Sequence, residues 1–287
     1  YDSYIYYYHY IKEMKIFKHS ASLKKEILGN HKLSFVPTMG GLHKGHIYLI
    51  KKAKQKSNKV IVSIFVNPKQ FNSKNDYKNY PRNLNIDLKI LNRLKVNYVF
   101  IPNFKDIYSF ITKKKIYLDK SSTKLCGKFR KNHFKGVLEV VNRFIELIKP
   151  RYVFLGEKDY QQLYLIQKHI DKRNIKLNII KCKSIRETNG VVCSSRNKNL
   201  NKKEMLLASK IYKILKKNKK YLKSNSMILK VKNIILRTGV KKIEYLKALN
   251  LKTLIKPKSK KSKFNIFISY YINKVRLIDM GIPFHSG

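Results

Sequence analysis

At 287 residues, 43% of them hydrophobic, the chain is long enough for one large domain or two modest ones and has the apolar content for a true core, which argues against global disorder. Its formal net charge of +49 arises from 65 Lys and Arg against 16 Asp and Glu. The lysines are spread along the chain rather than gathered in a stripe, and with abundant Asn, Ile, Tyr and Phe and no Trp the charge reads as AT-rich codon bias more than as a nucleic-acid footprint.

Residues 1–13 are tyrosine-rich and lack the basic start, aliphatic centre and small-residue cleavage site of a secretory signal. They read as a leader without function, and Met14 reads as the natural start. Residues 14–17 form a first short strand. The apolar run at 33–36 leads into Pro37-Thr38-Met39-Gly40-Gly41-Leu42-His43-Lys44-Gly45-His46, and Ile47, Leu49, Ile50 and Ala53 follow at helical spacing. That order is strand, glycine-rich turn, helix N-terminus, a place suited to a phosphate because the first helical turn exposes unpaired N–H groups. Gly40, Gly41 and Gly45 allow close backbone approach, and His43 and His46, at i and i+3, share a face. A dinucleotide fingerprint and a P-loop are absent, and no cysteine or carboxylate sits nearby at zinc-ligand spacing.

Residues 60–66 read as a buried parallel strand, followed by Asn67-Pro68-Lys69-Gln70-Phe71. A helix is expected over 84–94, with Leu84, Leu88, Leu91 and Leu94 along one side, then a strand at 98–101. Residues 137–148 form an amphipathic helix stopped by Pro150, 152–155 a strand, a helix runs through Leu163 and Ile166, and 175–182 closes the series as a strand. This alternation predicts an α/β fold, a doubly wound parallel sheet over 14–184. Ligands of such sheets bind beyond the carboxyl ends of the strands, and Met39, Asn67 and Gly156 all fall there. From about 201 the character changes: lysine-rich helices at 205–222 and 227–238, strands at 242–246, 264–271 and 273–278, and a basic, solvent-facing loop at 256–263. Residues 185–287 are therefore expected to form a second, smaller α+β domain.

Three further strings carry chemistry. Gln70 both donates and accepts, which suits a hydroxyl-bearing carboxylate. In Gly156-Glu157-Lys158-Asp159-Tyr160-Gln161-Gln162-Leu163, Lys158 can neutralise a triphosphate and Asp159 can accept from ribose hydroxyls or support a hydrated magnesium. Ser194, Ser195 and Arg196 offer two hydroxyls and a guanidinium, a multidentate phosphate grip. His9, His19, His31, His169 and His285 have no motif around them and read as surface or packing histidines. Cys126, Cys182 and Cys193 are scattered without a C-x-x-C, which argues against a disulfide framework and for a reducing, cytoplasmic compartment. No apolar run reaches transmembrane length.

Taken together the strings resemble the pantothenate synthetase (pantoate–β-alanine ligase) family of the HIGH-type nucleotidyltransferase superfamily. The resemblance spans 14 to about 280: P-T-M-G-x-L-H-x-G-H at 37–46, N-P-x-Q-F at 67–71, a partial D-x-Y-P-R-x-x-x-x-D with Asp76, Tyr80, Pro81, Arg82 and Asp87, G-E-K-D-[FY]-Q-Q-L at 156–163, R-E-x-[DN]-G-x-x-x-S-S-R-N at 186–197 and R-L-I-D at 276–279. It departs at 130–137, where Lys131-Asn132 replaces Pro-Gly, at Lys44, often acidic in the family, and at Cys193, usually Met or Leu. The resemblance implies a Rossmann-like nucleotidyltransferase fold and an ATP-dependent condensation of pantoate and β-alanine through pantoyl adenylate, releasing AMP and pyrophosphate. It implies an ATP site of Met39, Gly40, His43, Gly45, His46, Gly156, Glu157, Lys158, Asp159, Ile185, Cys193, Ser194, Ser195 and Arg196. Pro37, Thr38, Met39, Gln70 and Gln162 would face pantoate and β-alanine. His46, His43, Lys158 and Arg196 would be catalytic, with His46 the candidate proton donor. Mg2+ would be held by phosphates and water rather than by a dedicated protein site, and a homodimer is implied. A nucleic-acid-binding protein on a degenerate scaffold is the competing reading, motivated by the charge alone; no specific nucleic-acid or membrane partner is expected.

Overall fold

The computed structural model describes residues 14–29, 32–257 and 264–280. Six strands, β1 (Lys15–Phe17), β2 (Leu33–Thr38), β3 (Lys59–Ile64), β4 (Tyr98–Phe100), β5 (Tyr152–Gly156) and β6 (Asn178–Cys182), pair in parallel in the order β1-β4-β3-β2-β5-β6. The helices in chain order are α1 (Ser20–Ile27), α2 (Lys44–Lys56), α3 (Lys74–Lys78), α4 (Leu84–Arg93), α5 (Phe104–Tyr108), α6 (Cys126–Phe129), α7 (His133–Ile148), α8 (Tyr160–Lys172), α9 (Lys202–Asn218) and α10 (Asn225–Leu236). Apolar side chains cover both faces of the sheet, as a doubly wound sheet requires. One face packs Phe35, Phe100 and Val153 against Leu23 of α1, Leu138 and Phe144 of α7 and Ile166 of α8. The other packs Val36, Val62 and Phe154 against Ile50 of α2 and Leu91 of α4. Phe144 sits at the centre of the first core, its ring 5.5–6.2 Å from those of Phe35, Phe65 and Phe100.

The strand order reverses between β2 and β5, and there the sheet opens. The β2–β3 ladder runs from Leu33↔Lys59 to Thr38↔Ile64, but the β2–β5 ladder stops at Phe35↔Val153. Pro37 has no N–H to continue it. The result is a crevice at the carboxyl ends of β2 and β5, the topological switch point where ligands of such sheets bind.

A second sheet, β7 (Lys242–Leu249), β8 (Asn265–Ile272) and β9 (Val275–Met280), is antiparallel and packs its core against α9 and α10 through Ile211, Leu215, Val231, Ile235 and Ile268. It forms the smaller α+β unit expected from the sequence.

Several boundaries differ from the sequence expectation. Helix α7 starts at His133, a turn before 137. Strand β6 starts at Asn178, because Ile175 is still engaged in closing α8, its N–H on Ile170 O. Strand β9 starts at Val275, because Asn273, at φ +48°, and Lys274 make the hairpin turn between Ile272 and Val275. In α4 Leu84 is exposed, and the buried residues are Asp87 and Leu91. Residues 1–13 and most of the basic loop, 258–263, lie outside the described residues, as do His9, His31 and His285. His169 is a packing residue: its Nδ1 accepts from Tyr117 N–H and its Nε2 bonds Asn142 Oδ1, and burial pushes its pKa down to about 4. Among the described residues no helix is long and apolar enough to cross a membrane.

Candidate active site

The glycine turn after β2 is built by hydrogen bonds before any ligand enters. Thr38 Oγ1 donates to Ser63 O (2.6 Å) and accepts from Gly40 N (3.2 Å). Gly40 and Gly41 have φ of +76° and +62°, a region that favours glycine. The next two N–H groups, of Gly41 and Leu42, both donate to the Asp87 carboxylate at 2.8 Å. These two amides, which precede the first turn of α2, are thus taken by an internal anion. His43 then caps α2, its Nδ1 accepting from Gly45 N–H at 3.1 Å. That bond makes Nε2 the protonated nitrogen of a neutral ring.

The His43 and His46 rings face each other, centroids 4.0 Å apart. His46 Nδ1 is buried and has no hydrogen-bond partner among the described residues. Burial first, then the charge of His46 and that of Lys158, push the His43 pKa down to about 2; burial and Lys158 push His46 down to about 4. Both rings are neutral at physiological pH.

Two adjoining cavities meet at these rings. The larger, about 170 Å³, is lined by Pro37, Thr38, Met39, His43, His46, Gln70, Lys158, Asp159, Gln162, Ser194, Ser195 and Arg196 from the expected set. The second, about 110 Å³, shares Pro37, His43, His46, Lys158, Asp159 and Gln162 and adds Gly45, Gly156, Ile185 and Cys193. Of the expected residues only Gly40 and Glu157 line neither.

Each wall has its own support. Gln70 is buried, and its Nε2 reaches Met39 Sδ at 2.8 Å. His133 Nδ1 donates to Gln70 O at 2.7 Å, while His133 Nε2 accepts from Arg130 Nη1 at 2.9 Å. The Asn132 backbone before His133 is left-handed, φ +61°, a conformation asparagine tolerates better than most residues other than glycine. Lys158 Nζ lies 3.3 Å from Asp159 Oδ1. Ser194 Oγ accepts from Arg196 N–H, and Ser195 Oγ donates to Gly41 O at 3.0 Å, which seats this segment directly on the glycine turn. Arg196 Nη2 is 3.0 Å from both Asp76 oxygens, and its guanidinium lies over the Tyr80 ring.

The two departures at Lys44 and Cys193 meet on one carboxylate. Lys44 Nζ is 2.6 Å from Glu187 Oε2, and Cys193 Sγ donates to Glu187 Oε1 at 3.2 Å. Burial and Glu187 raise the Cys193 pKa to about 12, so it is an inert thiol in the cavity wall.

Sequence reasoning missed several lining residues: Phe65, Phe71, Tyr80, Arg130, His133 and the α7 face of Val137, Val140, Val141 and Phe144. Tyr80, Arg130 and His133 stand inside the partially matched strings, so a signal was present. The α7 positions follow helical spacing and look like core, which they also are.

The family described as Pantoate-beta-alanine ligase matches residues 9–282. The pantothenate synthetase of Francisella tularensis subsp. novicida is 41% identical over 259 residues, 90% of this chain and 92% of that one. Among solved structures, a pantoate-beta-alanine ligase from Francisella tularensis complexed with beta-gamma ATP and beta-alanine is 40% identical, with a TM-score of 0.82 over 94% of this chain and 97% of that one. The pantothenate synthetase of Thermus thermophilus is 28% identical, with a TM-score of 0.85 over 93% and 99%.

Proposed function

The chain belongs to the pantoate–β-alanine ligase family and is a ligase, and we propose from that premise that it condenses pantoate with β-alanine through a pantoyl-adenylate intermediate, consuming ATP and releasing pyrophosphate and AMP. The observation that carries this reading is that His43, His46, Lys158, Gln162 and Asp159 line both of two adjoining cavities, with Gln70 and Arg196 in one and Gly156 and Ile185 in the other. On this reading the first cavity takes the hydroxy acid and the phosphates, and the second opens toward the nucleoside.

A pantoate carboxylate oxygen attacks the α-phosphorus, and the bond to the β-phosphate oxygen breaks. The β-alanine amine then attacks the acyl carbon, loses a proton, and AMP departs. No side chain needs to bond covalently, so catalysis rests on placement and charge stabilisation. Neutral His43 donates through Nε2, and His46 donates beside it, to α-phosphate oxygens as negative charge grows. Lys158, Ser194, Ser195 and Arg196 take the outgoing phosphates; Gln70 and Gln162 orient pantoate. Asp159, the carboxylate in both cavity walls, fits a hydrated Mg2+ held mainly by the triphosphate, which would screen its charge. We read 14–184 as the nucleotide- and pantoate-binding domain and 185–287 as a lid. Family membership supports a cytoplasmic homodimer.

The test is isotope exchange between pyrophosphate and ATP. Exchange that requires pantoate but not β-alanine establishes the adenylate, and AMP release requiring both substrates establishes the ligation. Exchange independent of pantoate refutes the reading.

A further inference from the structure

One buried carboxylate has no role in the chemistry above. Asp87 is 1% exposed, and among the described residues no ion pair neutralises it. Its charge is met by the Gly41 and Leu42 N–H groups, one on each oxygen at 2.8 Å, and by its place in the first turn of α4, where the helix dipole favours an anion. The turn is shaped around it: a Cβ on Gly40 would stand 2.9 Å from Asp87 Oδ2.

The peptide joining Gly41 and Leu42 is held at both ends. Its N–H is on Asp87, and its C=O accepts from Ser195 Oγ. The following residue is His43, whose ring is fixed by the α2 cap and faces His46. Moving that peptide moves the His43 ring and the seat of Ser195 together.

We infer that Asp87 is a positioning residue, an internal anion that fills the amide cradle of the glycine turn and thereby sets the aim of His43 and the seat of Ser195. The substrate phosphates are accordingly left to side chains rather than to these two amides. The kinetic consequence rests on the ligase reading; the geometric one does not.

Asp87→Asn separates the two. A carboxamide of the same shape has one acceptor oxygen, and its NH2 would face the second amide N–H, donor against donor. In the ligand-free protein the cross-peak between the His43 and His46 ring protons in NMR spectra should be lost or weakened, while that between Phe35 and Phe144 in the core persists. In pantoate-dependent exchange, kcat should fall at least about tenfold with the pantoate KM within about twofold, because the error is one of alignment and Gln70 stands on another loop. Gly40→Ala, which crowds the carboxylate from the other side, should do the same and serves where Asp87→Asn does not fold. An unchanged histidine cross-peak in the folded variant overturns the inference. So does loss of the Phe35–Phe144 cross-peak with kcat and KM impaired alike, which marks a merely structural residue. A wild-type protein without pantoate-dependent exchange, but with the expected cross-peaks and their loss on substitution, defeats the ligase reading and leaves the positioning role standing.

Discussion

Arg196, assigned here to the triphosphate, is already occupied. Its Nη2 lies 3.0 Å from both oxygens of Asp76, whose carboxylate also stands 4.0 Å from Arg130. An incoming phosphate competes with Asp76 for Nη2 and for the charge of that guanidinium. The side chains of Asp76 and Arg196 are 40% and 25% exposed, so the pair is worth only about 0.5–1 kcal/mol. Asp76→Asn keeps the size of the side chain and removes the competing charge. Since 1.4 kcal/mol is tenfold, the KM for ATP and the inhibition constant of pyrophosphate should each fall about two- to fivefold. The melting temperature should stay within about 2 °C, as expected for a change at an exposed pair. Initial rates of pantoate-dependent ATP–pyrophosphate exchange, measured across ATP and pyrophosphate concentrations, give both constants. Weaker ATP binding in the variant would refute the reasoning, because it would make Asp76 a support that holds Arg196 ready and not a competitor for it.

Replacing His46 by Ala should lower the adenylation rate roughly 10²–10³-fold, the scale of losing one transition-state donor, as read by single-turnover formation of pantoyl adenylate. ATP binding should take up protons in mildly acidic solution. The free rings titrate at about 2 and about 4, and a neighbouring triphosphate favours their charged forms, so uptake occurs between the free and the raised bound pKa values, and affinity rises as pH falls through that window. Calorimetry in buffers of different ionisation enthalpy measures it; proton release on binding contradicts it. Phe144→Ala, which removes the ring between Phe35, Phe65 and Phe100, should destabilise the protein by about 3–5 kcal/mol in denaturant titration; a loss under about 1 kcal/mol would place this core elsewhere.

What the sequence disclosed and what it hid divide along a physical line. Strands β2, β3 and β5 are legible because a strand buried on both faces is largely apolar, and the glycine and histidine spacing after β2 is local. The crevice is less legible, because it depends on where the β2–β5 ladder stops, and only Pro37 hints at that. Boundaries such as the start of β9 shift because a two-residue hairpin turn needs Asn273 at positive φ, a demand no hydrophobic period records. Lys44 and Cys193 look like two unrelated departures until Glu187 is seen between them, one carboxylate oxygen meeting each.

Asp87 shows why the site is harder to read than the fold. In sequence it stands three residues after Leu84 and four before Leu91, inside the leucine stripe, so the spacing predicts its burial and only its charge argues against it. A buried carboxylate is expensive unless its oxygens are met by donors, and the donors are backbone N–H groups more than forty residues upstream, which carry no sequence identity at all. The glycines at 40 and 41 are therefore two signals at once. They permit the left-handed turn, and they bring the backbone amides close enough to a carboxylate for the turn to hold its shape with no nucleotide present.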